Sequence, residues 1–494
     1  MSKFLRLTCL LLACLMVLPL FAACGEPDDP SQSGDGSEAV TEEATDPVDE
    51  ALNALRGEVD WGGNDFGILY VNEFGYTEEV EAEPESNDQS GSGVINDAVF
   101  ERNTLFEEYC KLNFVLIPVA NSAVNGRVQG EVQTATGDFH LVTMTTDGTA
   151  SVATQGFLYN YLELDIDYDR EWWDAGTLEF ALDGKVFFMD GPFNIVDDDV
   201  TFVMMFNKQL REEYKIANPY DTVKAGDWTL ECFNSIVSQL ATENGDGKWD
   251  DKDTYGFSCP GTIGNTFFYG AGLKYVENSR EQDEPKLVLD DKMEQALNVL
   301  DISRTIIHEN NSSWVAPHGQ EGVAKDIFVE GRSLFYCEAA SYLRGLNASM
   351  TREYGVIPIP KYNKEQADYT TWRHGIGSTL YMPTSVAKGD MEQFARVLET
   401  YTLLSQKLVR PAYYDTMLTT RNVQDVESSE MLDLIFLHRT YDMAIYFTNL
   451  GFASLFSDSV NSTGGNFSSS YKSASKKFDK QIANILRKLQ KPQK

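Results

Sequence analysis

Basic residues are scarce in this sequence. Its 494 residues include 40 lysines and arginines against 76 aspartates and glutamates, which gives a formal net charge of −36. Such a chain repels the phosphates of nucleic acids and the headgroups of anionic lipids. The charge therefore argues strongly against a nucleic-acid-binding protein and against a protein that lies on an acidic membrane surface.

Cysteine is also sparse, with seven in the whole chain. Beyond residue 24 only Cys110, Cys232, Cys259 and Cys337 remain, far apart and without a CxxC pair. This spacing fits neither a zinc ribbon nor a thioredoxin-like redox motif. Three disulfide pairings and the free-thiol state all stay open.

Signature motifs of common enzymes are missing. The sequence contains no GxSxG, no HExxH, no P-loop and no GxGxxG that opens a helix. Carboxylates are so abundant that a glycosidase pair is not excluded by counting them. We therefore expect a protein that is not an enzyme, with a secreted carbohydrate-active enzyme as the alternative.

The first 24 residues have the pattern of an export signal. Lys3 and Arg6 precede an apolar stretch over residues 7–21, and two alanines lead directly to Cys24. The stretch is too short for a comfortable bilayer span. The segment resembles the lipobox of bacterial lipoproteins, which implies cleavage after residue 23 and lipidation of Cys24. An ordinary secretory signal is the alternative.

A tether is predicted to follow the signal, over residues 24–59. The segment is rich in Pro, Ser, Gly, Asp and Glu and contains few large apolar side chains. Such a composition cannot bury enough surface to offset the entropy of ordering, so we expect disorder. A flexible coil of this length reaches roughly 30 Å.

The remaining chain alternates strand and helix patterns. Strands are predicted at residues 65–72, 113–119, 139–145, 185–189 and 200–207, and helices at residues 96–113, 230–243, 292–309, 392–406, 428–447 and 473–489. Strand, helix and strand at this spacing imply right-handed crossovers and mainly parallel sheets. The fold class is therefore predicted to be α/β.

Eight short segments, in order along the chain, resemble one family. They are residues 96–103 (NDAVFERN), 137–142 (GDFHLV), 156–164 (GFLYNYLEL), 172–174 (WWD), 226–230 (GDWTL), 328–335 (FVEGRSLF), 354–362 (YGVIPIPKY) and 381–385 (YMPTS). Together they are similar to the extracellular solute-binding proteins of ABC importers, the family that includes the maltose-binding protein.

The resemblance implies a two-lobe, periplasmic-binding-protein-like fold. Each lobe is expected to be a mainly parallel sheet flanked by helices, joined by a hinge that the chain crosses several times. Residues 60–188 and 380–425 would form the first lobe, and residues 189–379 and 426–494 the second. Such lobes close on a ligand by a rigid-body motion.

One acidic loop has the spacing of a calcium-binding loop. Asn244, Asp246, Asp250 and Asp253 fall at ligand positions 3, 5, 9 and 12, and the carbonyl of Lys248 falls at position 7. Thr242 replaces the usual aspartate at position 1. A structural calcium ion is one hypothesis, and a solvated acidic turn is the other. No cofactor is expected to be required.

Ligand contacts are predicted from aromatic and polar residues in loops. Sugars combine apolar C–H faces with hydroxyl groups, so their sites pair flat aromatic rings with hydrogen-bonding side chains. The candidates are Glu73, Phe74, Asp147, Asp197, Trp314, Tyr336, Glu338, Trp372, Arg373 and His374.

These observations predict a lipid-anchored solute-binding protein at the outer face of the cell membrane. It is expected to be a monomer that captures a sugar or oligosaccharide between its lobes and delivers it to the transmembrane subunits of an ABC permease. A ligand-binding component of a membrane sensor is a further alternative. A peptide or another polar solute also remains open as cargo.

Overall fold

The computed structural model describes residues 47–53, 55, 59–83, 91–278, 285–309, 311–418, 426–462 and 464–489. The predicted signal peptide at residues 1–23, the lipidation site Cys24 and most of the predicted tether lie outside these residues. Their assignments stay predictions.

The described strands are numbered in chain order. They are β1 (Asp65–Val71), β2 (Asn113–Val119), β3 (Leu141–Thr145), β4 (Phe202–Asn207), β5 (Tyr255–Pro260), β6 (Val276–Glu277), β7 (Lys286–Leu287), β8 (Ser313–Ala316), β9 (Ser333–Ala339), β10 (Tyr354–Ile357), β11 (Thr371–Trp372), β12 (Ser378–Tyr381) and β13 (Arg439–Thr440).

The described helices are numbered in the same way. They are α1 (Pro47–Asn53), α2 (Thr77–Val80), α3 (Gly91–Cys110), α4 (Val124–Thr134), α5 (Thr146–Ala153), α6 (Ile195–Asp199), α7 (Lys208–Glu213), α8 (Pro219–Lys224), α9 (Leu230–Val237), α10 (Ile263–Gly270), α11 (Met293–His308), α12 (Glu321–Val329), α13 (Ser341–Ser349), α14 (Met391–Leu404), α15 (Arg410–Leu418), α16 (Val426–Leu437), α17 (Met443–Tyr446), α18 (Leu455–Asn461) and α19 (Phe467–Leu489).

Sheet A has the strand order β12-β3-β1-β2. β1 runs parallel to β2 and β3, whereas β12 runs antiparallel to β3. Gly67 in β1 is required by a close approach, because a Cβ atom there would lie 2.3 Å from the carbonyl oxygen of Asp138. The carboxyl ends of the three parallel strands therefore meet at one edge of sheet A.

Sheet B has the strand order β10-β4-β9-β5-β8. β5 runs parallel to β8 and β9, and β4 runs antiparallel to β9 and β10. The carboxyl ends of β5, β8 and β9 meet at one edge with the amino end of β4. Ligands of open α/β sheets bind at such carboxyl edges.

Trp228 links the sequence motif at residues 226–230 to the motif at residues 354–362 by a hydrogen bond. Its side chain is fully buried, and its Nε1–H donates to the carbonyl of Pro358 at 2.9 Å. Thr229 then caps α9 by accepting the N–H of Cys232 at 3.2 Å. The motif at residues 226–230 thus starts a helix and anchors it to the segment after β10.

Two chain segments connect the two sheets, and a third segment lies beside them. Met189 pairs with Leu380 of sheet A, and the chain then enters β4 of sheet B. On the return, Arg373 pairs with Thr201 before the chain reaches β12. β13 runs parallel to β11 beside them. The segments at residues 189–201, 371–380 and 439–446 therefore form a multi-stranded connection.

Several predicted elements differ from the structure. Residues 185–189 form isolated bridges instead of a strand. The helix predicted at residues 428–447 is broken, because residues 439–440 pair as β13 and Asp442 caps a new helix by accepting the N–H of Ala444. The helix predicted at residues 230–243 ends at Val237.

Part of the predicted tether is ordered. Residues 47–53 form α1, and Leu52 is buried in the same apolar cluster as Phe106 and Tyr401. The prediction of disorder was wrong for these residues, because Val48, Ala51 and Leu52 supply an apolar face. Among the helices that the structure describes, none is both long enough and apolar enough to cross a membrane.

Candidate functional site

A cavity of ≈ 770 Å³ lies at the carboxyl edge of sheet B. Pro260, Ala316 and Ala339, which end the three parallel strands, line it together with Phe202 at the start of β4. His374 and Ile376 reach it from the connection between the sheets. The cavity therefore lies where sheet B meets the connecting segments.

The connecting segment also forms hydrogen bonds with residues that follow the carboxyl ends of β1 and β3 in sheet A. The hydroxyl of Tyr76, which follows β1, donates to the carbonyl of Ile376 at 2.5 Å. The N–H of Asp147, which follows β3, donates to the carbonyl of Gly375 at 3.2 Å. The loops after β1 and β3 are thus adjacent to the residues that line the cavity.

Aromatic rings border this region. Phe202 stacks on Trp372 with ring centroids 4.7 Å apart, and Trp372 lies 5.2 Å from His374. Phe74 is 50% exposed and has a positive φ of 60°. A bulky residue in that left-handed conformation is uncommon and is found mainly where the surroundings impose it. An exposed ring is therefore presented at the end of β1.

Two carboxyl groups in the cavity have opposite environments. Burial raises the pKa of Glu338 to about 7. Hydrogen bonds from backbone N–H groups, at Glu321 itself and at Gly319, lower the pKa of Glu321. At neutral pH Glu338 is therefore partly protonated, whereas Glu321 is ionised.

The histidine of the connecting segment has its protonation shifted by its position. Burial lowers the pKa of His374, against the opposing effect of Asp147. Its Nδ1 accepts the N–H of Ile376 at 3.2 Å. The ring is therefore a neutral hydrogen-bonding group at neutral pH.

The ten predicted ligand residues fall into three groups. Glu338 and His374 line the cavity. Asp147 contacts the connecting segment, Glu73 and Phe74 lie at the end of β1, and Trp314 lies in β8 beside the lining residue Val315. The remaining four, which are Asp197, Tyr336, Trp372 and Arg373, are buried. Their contact with a ligand stays a prediction.

Sequence reasoning missed several lining residues. His308, His318, Glu321, Tyr342 and Asn461 all line the cavity. The loops after β5 and β8 carried no predicted function, since neither strand was recognised from the sequence. The alternation of helix and strand patterns around residues 255–260 and 313–316, which form β5 and β8, is the signal that could have located these two strands.

A buried ion-pair network lies beside the cavity, in the connection between the sheets. Arg373 is fully buried and pairs with Asp197 and, at 3.1 Å, with Asp190. Arg439 pairs with Asp197 at 2.7 Å and with Asp174 at 2.6 Å. The guanidinium of Arg373 lies 5.6 Å from the ring centroid of Tyr441 and 5.7 Å from that of Tyr446.

In this network, burial and ion pairing have opposite effects on the pKa values of the aspartates. Burial raises the pKa of Asp190 to about 7, although Arg373 opposes this effect. Burial also acts to raise the pKa of Asp174, but Arg439 and the hydroxyl of Tyr441 lower it overall. Buried ions need such partners, since removing one leaves a charge that is costly to keep out of water. Asp197 and Arg373 thus hold the three segments together.

Glu79 is another buried carboxyl group at the same connection. Its Oε1 accepts the N–H of Val196 at 2.6 Å and the hydroxyl of Ser378 at 2.5 Å, while Oε2 has no hydrogen-bond partner. Burial raises its pKa to about 8. Glu79 therefore links α2 to two of the crossing segments in its protonated form.

In the acidic loop, the carboxylates accept backbone hydrogen bonds. Asp253 is buried and accepts the N–H groups of Asn244 and Asp250 at 2.9 and 2.7 Å. Asp246 accepts the N–H of Lys248 at 2.9 Å. Within the described residues no group of three or more His, Cys, Asp or Glu side chains is arranged to hold a metal ion. Calcium binding by this loop stays a prediction.

Two α/β sheets joined by crossing segments, with a cavity at the carboxyl edge of sheet B, have the architecture of the two-lobe fold of solute-binding proteins. No protein-family model and no curated protein sequence matches the chain. Solved structures do match the fold. One is the ABC substrate-binding protein Lmo0181 from Listeria monocytogenes in complex with cycloalternan, with a TM-score of 0.52 and 14% identity over 85% of this chain and 99% of that chain.

Two further solved structures have the same architecture. The galacto-N-biose-/lacto-N-biose I-binding protein from Bifidobacterium longum, in complex with lacto-N-biose, has a TM-score of 0.53 and 12% identity over 86% of this chain and 98% of that chain. UgpB from Mycobacterium tuberculosis, in complex with glycerophosphocholine, has a TM-score of 0.52 and 15% identity over 86% of this chain and 99% of that chain. The chain therefore has the fold of maltose-binding-protein-like ABC substrate-binding proteins.

Replacing the central arginine of the network is expected to destabilise the protein strongly. Arg373→Met leaves Asp190 without its ion-pair partner, so we expect the free energy of unfolding to fall by about 3–5 kcal/mol. Urea unfolding followed by tryptophan fluorescence measures the change. Arg396→Met removes a partly exposed pair with Glu392 at 2.6 Å and should cost less than about 1 kcal/mol. Equal losses in both variants would contradict the structural role of Arg373.

The buried Glu79 predicts a pH-dependent stability. Folding raises its pKa from 4.5 to about 8, so between these values the folded chain binds more protons than the unfolded chain. Its contribution therefore makes the protein less stable as the pH rises through this window. Glu79→Gln removes the titration, and its stability relative to wild type should increase by about 1.4 kcal/mol per pH unit. Urea unfolding at pH 5, 6.5 and 8 tests this, and a constant difference would contradict it.

Proposed function

We propose that this protein is a lipid-anchored solute-binding protein, held at the outer face of the membrane through Cys24. It captures a sugar or oligosaccharide in the cavity at the edge of sheet B and delivers it to the transmembrane subunits of an ABC permease. The export signal and the cysteine that follows it support the anchor. The fold supports the binding role.

The single observation that carries the binding role is the position of the cavity. It lies at the carboxyl edge of one sheet and contacts the segment that joins both sheets. A ligand there touches sheet B and the connection together, so its binding favours one relative arrangement of the two sheets over others. A permease can then distinguish the ligand-bound arrangement of the two sheets from the unbound one.

The composition of the cavity supports a saccharide. Aromatic or imidazole rings of Phe202, Tyr342 and His374 lie with the carboxyl groups of Glu321 and Glu338. Flat rings pack against the C–H faces of a sugar, and carboxyl groups bind its hydroxyls. Saccharides also occupy two of the matching solved structures, whereas a third holds glycerophosphocholine.

One observation favours the enzyme alternative. Glu338, with a pKa of about 7, and the ionised Glu321 line the same cavity. Carboxyl groups with pKa values pushed apart are the arrangement of an acid and a base in glycosidases. The test of function must therefore include an assay of turnover.

Binding without turnover is the expected result of a ligand screen. The full-length protein, solubilised in a detergent without a sugar headgroup, is melted with mono- and oligosaccharides, short peptides and calcium while tryptophan fluorescence is followed. A saccharide that binds the folded state raises the melting temperature. It should be recovered unchanged by chromatography. Cleavage of the saccharide would establish the enzyme, and shifts with peptides alone would overturn the saccharide.

Phe74 provides the matched variant for this screen. Phe74→Ala removes the exposed ring at the end of β1 and should weaken saccharide binding by about fivefold, which corresponds to about 1 kcal/mol. Trp249→Ala is the control, since Trp249 is 41% exposed and precedes the opposite, amino end of β5. It should leave the affinity unchanged.

A further inference from the structure

The charge of the cavity restricts the solute that it can hold. Among the described residues that line it, two are glutamates and none is a lysine or arginine. Three histidines also line it: burial lowers the pKa of His374, Nε2 of His308 is bonded to the carbonyl of Val460 at 2.9 Å, and Nδ1 of His318 lies 3.6 Å from Glu321. The cavity is therefore electronegative.

Glu338 is the carboxyl group with the fewest partners there. Its side chain is only 6% exposed, and its hydrogen-bond partner is the N–H of Ala339, the next residue, at 3.0 Å. The charged group that acts on it is Glu321, another carboxyl. Glu338 is thus almost completely removed from water and has no counter-ion among its described contacts.

The arginine of the neighbouring helix does not neutralise Glu338. Arg344 lies in α13, two residues after the lining residue Tyr342, and it pairs with Asp199 and, at 2.9 Å, with Glu78. Its charge is therefore committed to two other carboxylates. No described protein group supplies a cation to Glu338, so a cation that pairs with it would belong to the ligand.

We propose that the solute carries a protonated amino group that pairs with Glu338, so that the cargo is an amino sugar or an oligosaccharide that bears a free amine. This inference rests on the proposed function and specifies the chemical class of the ligand at the same site. A phosphorylated, sulfated or uronic-acid saccharide is disfavoured, because it meets two carboxyl groups and no lysine or arginine among the described lining residues.

The physical reason is the cost of burying an unpaired charge. An ionised carboxylate removed from water is strongly destabilised unless it is paired and hydrogen-bonded. In the unbound protein Glu338 avoids this cost by partial protonation. An ammonium group of the ligand stabilises the ionised carboxylate, and charge-assisted hydrogen bonds are roughly twice as strong as neutral ones. A hydroxyl group of a neutral sugar also binds Glu338, but it restores no charge balance. The amine should therefore be preferred.

Matched pairs of saccharides test the proposal. Isothermal titration of the full-length protein at pH 7 compares glucosamine oligomers with cello-oligosaccharides of the same length. A second pair compares maltotriitol with its 1-amino-1-deoxy analogue. In at least one pair the amine should bind ten or more times more tightly than the neutral saccharide. Glucuronic-acid oligomers should not bind.

Two variants test whether Glu338 is responsible for the preference for the amine. Glu338→Gln keeps the shape of the side chain and should remove most of the preference for the amine, while its melting temperature stays at or above that of the wild type. Glu330→Gln changes an exposed carboxylate at the other end of β9 that pairs with Arg332, and it should retain the preference.

Each other outcome overturns the proposal. Equal binding of amines and neutral saccharides, or an undiminished preference in Glu338→Gln, refutes the pairing and leaves the saccharide-binding function intact. Tight binding of glucuronic-acid oligomers refutes the charge argument. Failure of every saccharide to bind refutes both this inference and the proposed saccharide ligand.

Discussion

Arg373 and Arg439 lie buried among Asp174, Asp190 and Asp197, at the point where the chain passes between its two sheets. The three aspartates lie within residues 174–197, and the two arginines lie far from them in the sequence. Ion pairs in such surroundings hold each other in place, since separating any one of them leaves a charge without water or partner. His374 and Ile376, which face the cavity from the connection, follow Arg373 within three residues and are positioned by this cluster.

The cavity combines a rigid part with a part that depends on the connection. Pro260, Ala316 and Ala339 end strands of one hydrogen-bonded sheet, so their relative positions are fixed. His374 and Ile376 belong instead to the crossing segment, which Tyr76 and Asp147 tie to the loops of sheet A. A ligand that contacts both parts couples the cavity to the relative position of the sheets, as hinge closure requires.

Much of the fold could be predicted from local sequence. Residues 65–71 and 113–119 are runs of β-branched and aromatic residues, and they form β1 and β2. The helix predicted at residues 428–447 was broken because residues 439–440 pair with β11, which is distant in the sequence, and no local pattern reveals such a partner. The site divides in the same way. Glu338 and His374 were found from the segments around them, but the burial of Arg373 and Tyr336 depends on tertiary packing. His318 and Glu321 were missed because β8 was not recognised.

The central claim is that the solute binds in the cavity at the edge of sheet B. Hydrogen–deuterium exchange with mass spectrometry tests it most directly, using the saccharide that raises the melting temperature most. The account predicts slower exchange at residues 260–262, 316–321, 338–342 and 374–376, since ligand binding suppresses local opening. Protection confined to the polar groove between α18 and α19, lined by residues such as Asn449, Ser470 and Gln481, would contradict it.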